Sequence, residues 1–229
     1  MKKAFLVAAL LGASALAANA TTYHVDYQVA GNAFGNENLK QQVKIGTGTP
    51  GSGLYEGKVY AGQFQLNGSG ALGDFAAFCV DLLHTLQVPN TYTHVNNLFG
   101  ADVLDNIDRL FTSAYSMVTD SLNAAAFQVA LWEVIYDTSP TAGFDLDSGN
   151  FLTVDDGNGV EFNPAVETQA ELFLTGLSSA GTGGYNLTFL QTPNGQDLVT
   201  TTPVPLPAAG WMMVARVGGL IAMRRRKKA

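Results

Sequence analysis

Two apolar segments, one at each end and each beside basic residues, limit the part of this chain that can fold in water. The first segment follows Lys2 and Lys3, covers residues 4–18 and leads into a small-x-small site that ends at Ala20. This is the three-part layout of a secretory signal peptide, so we expect residues 1–20 to be removed on export. The segment is short for a bilayer core of about 30 Å, which favours cleavage over permanent anchoring.

The second apolar segment covers residues 206–223 and is interrupted by Arg216. Five basic residues follow it: Arg224, Arg225, Arg226, Lys227 and Lys228. Positive residues stay on the cytoplasmic side of a membrane, so this block is expected to act as a basic stop, with the body of the protein outside. A charge at mid-membrane costs about 2.5 to 3.5 kcal/mol on insertion scales, so Arg216 makes the predicted transmembrane helix a marginal one.

A short proline-containing motif stands just before this helix: Val204, Pro205, Leu206, Pro207 and Ala208. Motif, apolar helix and Arg-rich end resemble the VPLPA variant of the PEP-CTERM sorting signal, over residues 203–229. The resemblance implies that a membrane-embedded exosortase recognises the motif, cuts nearby, and releases or transfers the protein. An ordinary C-terminal membrane anchor is the alternative.

Removing both ends leaves residues 21–202, a length that suits one domain with its own core. All nineteen acidic residues of the chain lie in this body, against four basic ones, which gives a net charge of −15. The four are Lys40, Lys44, Lys58 and Arg109. Such a charge repels nucleic acid and anionic lipid, so nucleic-acid binding is excluded as a function.

The first third of the body has the patterns of β-structure. Apolar and polar residues alternate over residues 22–29, which predicts a strand with one buried face. Further strands are predicted over residues 43–45, 58–66 and 75–82, with loops rich in Gly, Ser and Thr between them. We therefore expect a β meander.

In the middle of the body, the spacing of apolar residues changes to the spacing that is typical of helices. Apolar residues recur at three- and four-residue spacings over residues 107–118, and residues 121–136 are apolar nearly all round. Gln128 and Glu133 are the exceptions in the second segment. Two consecutive helices are predicted, the second buried on most sides with two polar groups that need partners.

The C-terminal part of the body returns to strands. A helix is predicted over residues 164–177, with Asn163 as its N-cap and proline in its first turn. An Asn-Gly pair at residues 194–195, typical of a tight hairpin turn, separates predicted strands over residues 185–191 and 196–201. The predicted fold class is α+β: a β-rich N-terminal part, a central helical pair, and a C-terminal helix with a β-hairpin.

Two short motifs contain the residues that could take part in a chemical reaction. Residues 78–81 read Phe-Cys-Val-Asp, and Cys79 is the one cysteine of the chain. A lone cysteine cannot form an intramolecular disulfide, although an exported protein works where disulfides persist. Residues 126–133 read Ala-Phe-Gln-Val-Ala-Leu-Trp-Glu and place the amide of Gln128 on an apolar helix. Both residues are anomalies that need an explanation.

Together these motifs resemble the thioester domains of bacterial surface adhesins, over about residues 56–137. The likeness rests on the aromatic residue before the cysteine, the Gln-x-Ala-aliphatic-Trp motif, and the order of the two. It implies a thioester between the sulfur of Cys79 and the side-chain acyl carbon of Gln128. Other motif residues are then expected to line the thioester pocket: Phe78, Asp81, Trp132 and Glu133.

The chemistry of a thioester suits this setting. A thiol that attacks a glutamine carboxamide expels ammonia, and the product survives only where water is excluded. The apolar helix around Gln128, with Trp132 one turn further on, would keep the site dry and hold the reacting atoms together. Alternatively, Cys79 is an ordinary small core residue and Gln128 bonds a loop carbonyl.

Other chemistry has weaker support in the sequence. His84 and His94 are candidate bases for an incoming hydroxyl, although isolated loop histidines are usually solvated. Two acidic stretches, residues 145–147 and 155–158, offer oxygen ligands for Ca²⁺ but lack the spacing and closing glutamate of an EF-hand. A zinc site on Cys79 and the two histidines would lack a fourth ligand. We expect no metal, no cofactor and no enzymatic turnover.

These patterns predict an exported protein of a Gram-negative bacterium that passes through an inner-membrane intermediate to the cell surface or extracellular matrix. Its expected partners are the export machinery, exosortase, and a surface polysaccharide or another ligand with an amine or hydroxyl. Acyl transfer from the thioester would attach it covalently. The alternatives are a passive structural protein of the biofilm matrix without a thioester, and a calcium- or glycan-binding module.

Overall fold

The computed structural model of the protein describes residues 21–34, 39–46, 55–137, 143–154 and 163–203. Within these ranges the chain forms nine strands and three α-helices, so the expected mixed α+β fold is confirmed. The strands are β1 (Thr22–Asn32), β2 (Leu39–Ile45), β3 (Tyr55–Ala61), β4 (Phe64–Gly68), β5 (Gly73–Cys79), β6 (Asn90–Val95), β7 (Phe151–Thr153), β8 (Tyr185–Gln191) and β9 (Leu198–Pro203). The helices are α1 (Ala101–Ala114), α2 (Ser121–Tyr136) and α3 (Pro164–Thr175).

Six of the strands close into an antiparallel barrel in the order β1-β4-β5-β9-β8-β6, and the other three form a sheet in the order β3-β2-β7. The expected β meander is wrong, because β1 pairs with β4 and β6 rather than with β2. The single strand predicted over residues 58–66 is two strands in different sheets, separated by a bend at Gly62. Alternation fixes which face of a strand is buried but not which strand lies beside it.

The second predicted helix matches α2 at both ends. Its N-cap is Asp120, whose side chain accepts a hydrogen bond of 2.8 Å from the backbone N–H of Asn123. The helix is buried from Ala124 to Ile135 because it packs against α1, α3 and the strands β2, β3 and β7. Such a helix lies inside the protein rather than along its surface.

The C-terminal elements are α3 and the hairpin of β8 and β9, with a loop between the two strands. Asn163 caps α3 through the N–H of Ala165 at 3.0 Å, and the helix ends at Thr175 before a short 3-10 turn. The predicted hairpin forms between β8 and β9, with Leu190 opposite Leu198. Since β9 begins at Leu198, residues 196 and 197 lie in the loop instead of the predicted strand. β6 and β7 were not predicted.

The two ends of the chain lie outside the described residues. They include the predicted signal peptide, residues 1–20, and the predicted sorting motif, hydrophobic helix and basic stop over residues 204–229. Within the ranges that the structure does describe, none of the helices combines the length and the apolar character needed to cross a bilayer.

Candidate functional site

Cys79 is the last residue of β5, at the point where the barrel strand gives way to a loop. Cys79 pairs with Leu198 of β9, and 3% of the residue is exposed to solvent. Burial raises the pKa of the Cys79 thiol well above its ordinary value, and the nearby charge of Asp81 raises it further. The group is therefore a neutral thiol in a site with little access to water.

Gln128 of α2 binds the backbone of Cys79. Its Oε1 accepts a hydrogen bond of 2.9 Å from the Cys79 N–H, and its Nε2 donates one of 2.8 Å to the Cys79 carbonyl. Both poles of the carboxamide are thus used, and Gln128 is itself buried. The amide that stands out on the apolar helix is explained by this pair of bonds, which hold the end of β5 against α2.

A different glutamine contacts the sulfur. The Cys79 thiol donates to Oε1 of Gln196, and the distance from Sγ to this oxygen is 2.6 Å. A C=O bond is about 1.23 Å long, so the acyl carbon of Gln196 lies within about 4 Å of the sulfur. Reacting atoms in near-attack geometry are about 3 to 3.5 Å apart, and this pair is close to that range.

Gln196 is held at both its backbone and its side chain. Its N–H donates to the carbonyl of Thr85 at 3.2 Å, and its own carbonyl accepts from the hydroxyl of Tyr92 at 3.2 Å. Its Nε2 donates to the backbone carbonyl of Asp81 at 2.5 Å. The side-chain carboxamide of Gln196 is therefore held beside the sulfur.

In this structure Gln196, rather than the expected Gln128, contacts the sulfur of Cys79. Cys79 and Gln128 do lie together, as the motifs suggested, but through the Cys79 backbone. Sequence reasoning missed Gln196, which stands 117 residues after the cysteine. The pairing of β5 with β9 brings the two together, and local patterns carry no signal of that pairing.

One face of α2 lies against the loop that follows Cys79. Gln128, Trp132 and Tyr136 are spaced four residues apart and so share that face. The hydroxyl of Tyr136 accepts a hydrogen bond of 2.8 Å from the N–H of Leu82. Burial raises the pKa of Tyr136 to about 12, so the hydroxyl stays neutral. On this face, Gln128 therefore holds the first residue of segment 79–82, and Tyr136 holds the last.

Two residues expected in the thioester pocket lie elsewhere. The ring of Phe78 packs among those of Phe111, Tyr115 and Phe127, with centroids 4.8 to 6.4 Å away, inside the core. Glu133 is five residues after Gln128 and therefore points to another side of α2. Its electrostatic neighbours are Asp137 and Asp145 rather than the thiol.

Glu133 is buried with an exposed fraction of 0%. Burial raises the pKa of its carboxyl to about 9, and Asp137 adds to the shift. The backbone of Asp145 offsets part of it, but within the described ranges no hydrogen bond of normal geometry reaches either carboxyl oxygen. Glu133 is therefore a neutral acid at pH 7.

Asp81 and His84 stand where the site opens to solvent. The side chain of Asp81 is 19% exposed and that of His84 is 55% exposed, and Nδ1 of His84 lies 2.5 Å from Oδ2 of Asp81. His84, Gln196 and Trp132 line one cleft of about 400 Å³. The indole Nε1 of Trp132 has no hydrogen-bond partner among the residues that the structure describes. A ligand in this cleft would reach Gln196 directly.

The remaining candidates do not join this site. His94 lies on β6 and lines another cleft. The carboxylate of Asp145 accepts from the N–H groups of Asp147 and Ser148 at 3.2 and 2.7 Å, which fits a turn. Residues 155–158 lie outside the described ranges, and inside them no group of three or more His, Cys, Asp or Glu could hold a metal ion.

Comparison with protein-family models finds no match for the chain, and comparison with curated proteins finds none. Among solved structures, the chain is similar to the N-terminal domain of the Streptococcus pyogenes pilus tip adhesin Cpa: 15% identity, TM-score 0.42, covering 77% of this chain and 100% of that one. It is also similar to the N-terminal thioester domain of a surface protein from Clostridium perfringens: 12% identity, TM-score 0.40, covering 72% and 100%. Likeness at this level assigns this chain neither a family nor a function.

Proposed function

We propose that this protein is an exported surface protein that attaches covalently to its partner through an internal thioester between Cys79 and Gln196. The observation that carries the proposal is the 2.6 Å contact between Sγ of Cys79 and Oε1 of Gln196 in a buried site. The motifs around residues 79 and 128, which resemble those of adhesin thioester domains, support it independently.

Thioester formation is a balanced exchange within the protein. The sulfur of Cys79 bonds to the acyl carbon of Gln196, the bond from that carbon to Nε2 breaks, and the thiol proton leaves with the nitrogen as ammonia. Since burial raises the pKa of the Cys79 thiol, the site disfavours a thiolate and accommodates a neutral thioester. Fixed geometry supplies most of the acceleration, because both partners are held before reaction.

Gln128 has a positioning role in this scheme. Its two hydrogen bonds hold the Cys79 peptide against α2 and so set the direction of the thiol. Attack on Gln128 itself would require both bonds to break. Gln196 is the better acyl donor because its carbonyl already faces the sulfur.

Attachment transfers the acyl group of Gln196 from the sulfur to the partner. An amine or hydroxyl on the partner bonds to the acyl carbon of Gln196, and Cys79 leaves as a thiol. The protein is consumed by this step, so the activity is a single covalent capture without turnover. Surface polysaccharides supply hydroxyls and surface proteins supply amines, and either class is a partner under this proposal.

Intact mass of the exported protein, purified without exposure to amines, tests the proposal. The parent is expected to be lighter by one ammonia than its sequence requires, and to gain one methylamine when treated with that amine. Cys79→Ala and Gln196→Ala should restore the full mass of their own sequences and give no adduct. Gln191→Ala is the matched control, since Gln191 lies on β8, and should keep the loss of ammonia.

A parent protein of full sequence mass with a titratable thiol would overturn the thioester. It would favour the alternative of a passive matrix protein with a buried cysteine. Ammonia loss that survives Gln196→Ala but not Gln128→Ala would return the acyl carbon to Gln128.

We also propose that the protein is sorted to the surface of a Gram-negative bacterium by exosortase, after an inner-membrane intermediate. The support is the order of features in the sequence: a signal-peptide pattern, Pro205 and Pro207 in the motif, an apolar segment and a basic end. Replacing both prolines by alanine, or deleting the chain from Arg224 onward, should trap or mislocalise the protein. Unchanged surface display with an unchanged mature C-terminus would contradict exosortase sorting.

A further inference from the structure

Asp81 connects the proposed thioester to a histidine. Its backbone carbonyl accepts from Nε2 of Gln196, and its carboxylate binds Nδ1 of His84. His84 and Gln196 line the same cleft, so a molecule that approaches the acyl group passes the imidazole. With 55% of its side chain exposed, His84 stands at the mouth of the cleft rather than in the core.

The contact with Asp81 sets the chemical role of the imidazole. An ionised carboxylate only accepts hydrogen bonds, so Nδ1 of His84 carries the proton in this pair. The lone pair is then on Nε2, which can accept a proton from another molecule. Oδ1 of Asp81 accepts from the N–H of Leu83 at 2.8 Å, which fixes the carboxylate. The histidine is thereby held in one tautomer and one orientation.

We propose that His84, oriented by Asp81, is the general base that activates a hydroxyl of the partner for attack on the Cys79–Gln196 thioester. This inference rests on the proposed function, because without a thioester there is nothing for the base to act on. It adds a residue and a class of nucleophile to that function.

The proton that the hydroxyl loses in this step ends on the sulfur of Cys79. As the hydroxyl oxygen bonds to the acyl carbon of Gln196, its proton passes to Nε2 of His84. The bond from the acyl carbon to Sγ breaks, and the imidazolium returns the proton to the departing sulfur. The products are an ester on Gln196, a thiol on Cys79 and a neutral histidine. The buried site favours a thiol over a thiolate, which makes delivery of this proton necessary.

Several charged and titratable groups surround the imidazole. Asp81 binds it directly, and Asp197, on the loop before β9, interacts with it through space. Lys58, Tyr55 and Tyr60 of β3 line the same cleft from the other side. The two carboxylates favour the imidazolium that forms during attack, whereas Lys58 opposes it.

A base at this position matters more for hydroxyls than for amines. An unprotonated amine attacks a thioester without prior loss of a proton, whereas a neutral hydroxyl is a weak nucleophile until its proton is removed. General base catalysis contributes about 100- to 10,000-fold to such steps. The arrangement therefore favours hydroxyl-bearing partners, of which glycans are the abundant surface class.

The test compares His84→Gln with the parent protein, using glycerol as the hydroxyl probe and methylamine as the amine probe. Rates are followed by release of the Cys79 thiol and by the mass of each adduct. His84→Gln should keep the loss of one ammonia but form the glycerol adduct at least about 100-fold more slowly, with less than about a 10-fold change for methylamine. His94→Gln, on β6, is the matched control and should react like the parent.

A second variant tests the orientation of the imidazole. Asp81→Asn, which holds the wrong tautomer, should also lower the glycerol rate. Equal glycerol rates in His84→Gln and the parent, with the ammonia loss present in both, would overturn this proposal and leave the thioester standing. Absence of the ammonia loss in the parent would instead overturn the proposed function.

Discussion

Replacing Glu133 with glutamine should make the stability of this protein less dependent on pH. In the unfolded chain the carboxyl titrates at its ordinary pKa of 4.5, whereas in the folded protein burial raises that pKa to about 9. Between these two values the unfolded state is ionised and the folded state is protonated. The stabilising effect of the protonated form is therefore complete below pH 4.5 and is lost progressively as the pH rises through 9.

The magnitude follows from the shift. Each pH unit between the two pKa values lowers the free energy of unfolding by about 1.4 kcal/mol through this group. The difference in stability between Glu133→Gln and the parent should thus move in favour of the variant by about 3 kcal/mol between pH 4.5 and pH 7. The fixed cost of placing an amide at this site cancels, because it contributes equally at both values.

Urea unfolding at a series of pH values measures this difference. Glu56→Gln is the matched control, since it makes the same change of residue type at a position that is exposed on β3. A difference between Glu133→Gln and the parent that stays constant from pH 4.5 to pH 7 would refute the reasoning. It would mean that the Glu133 carboxyl has a similar pKa in the folded and unfolded states.

Variants at three further positions test the packing around the site and the start of α2. Tyr136→Phe removes the acceptor of the Leu82 N–H while keeping the aromatic ring, and should cost about 1 to 3 kcal/mol in urea unfolding. Phe127→Ala opens a cavity in the aromatic cluster and should cost about 3 to 5 kcal/mol by the same measurement. Asp120→Ala removes the N-cap of α2 and should cost about 0.5 to 2 kcal/mol in thermal unfolding, whereas Asp120→Asn should retain most of the stability.

Two of the helices could be predicted well because their signals are local: the apolar pattern over residues 121–136 predicted α2, and Asn163 with Pro164 predicted the start of α3. The helix predicted over residues 107–118 overlaps α1 (Ala101–Ala114) but begins six residues late. The period of the pattern indicates the element, and the cap indicates its first residue. The same reasoning identified Gln128 as a buried polar group with an obligatory partner, and the structure supplies that partner in the Cys79 backbone.

The strand partners and the second glutamine could not be predicted in this way. β5 pairs with β9, more than a hundred residues later, and only that pairing brings Gln196 to Cys79. In the sequence Gln196 is one polar residue after an Asn-Gly turn, at the start of a predicted strand, and no motif marks it as reactive. Likewise, adjacency in a motif placed Glu133 in the expected pocket, although five residues along a helix turn it away.

The most direct test of the central claim is the position of the methylamide after the parent protein reacts with methylamine. Digestion and fragment sequencing by mass spectrometry identify the residue that carries the label. A thioester between Cys79 and Gln196 predicts the methylamide on Gln196, together with a newly free thiol on Cys79. A methylamide on Gln128, or unlabelled glutamine at both positions, would contradict it.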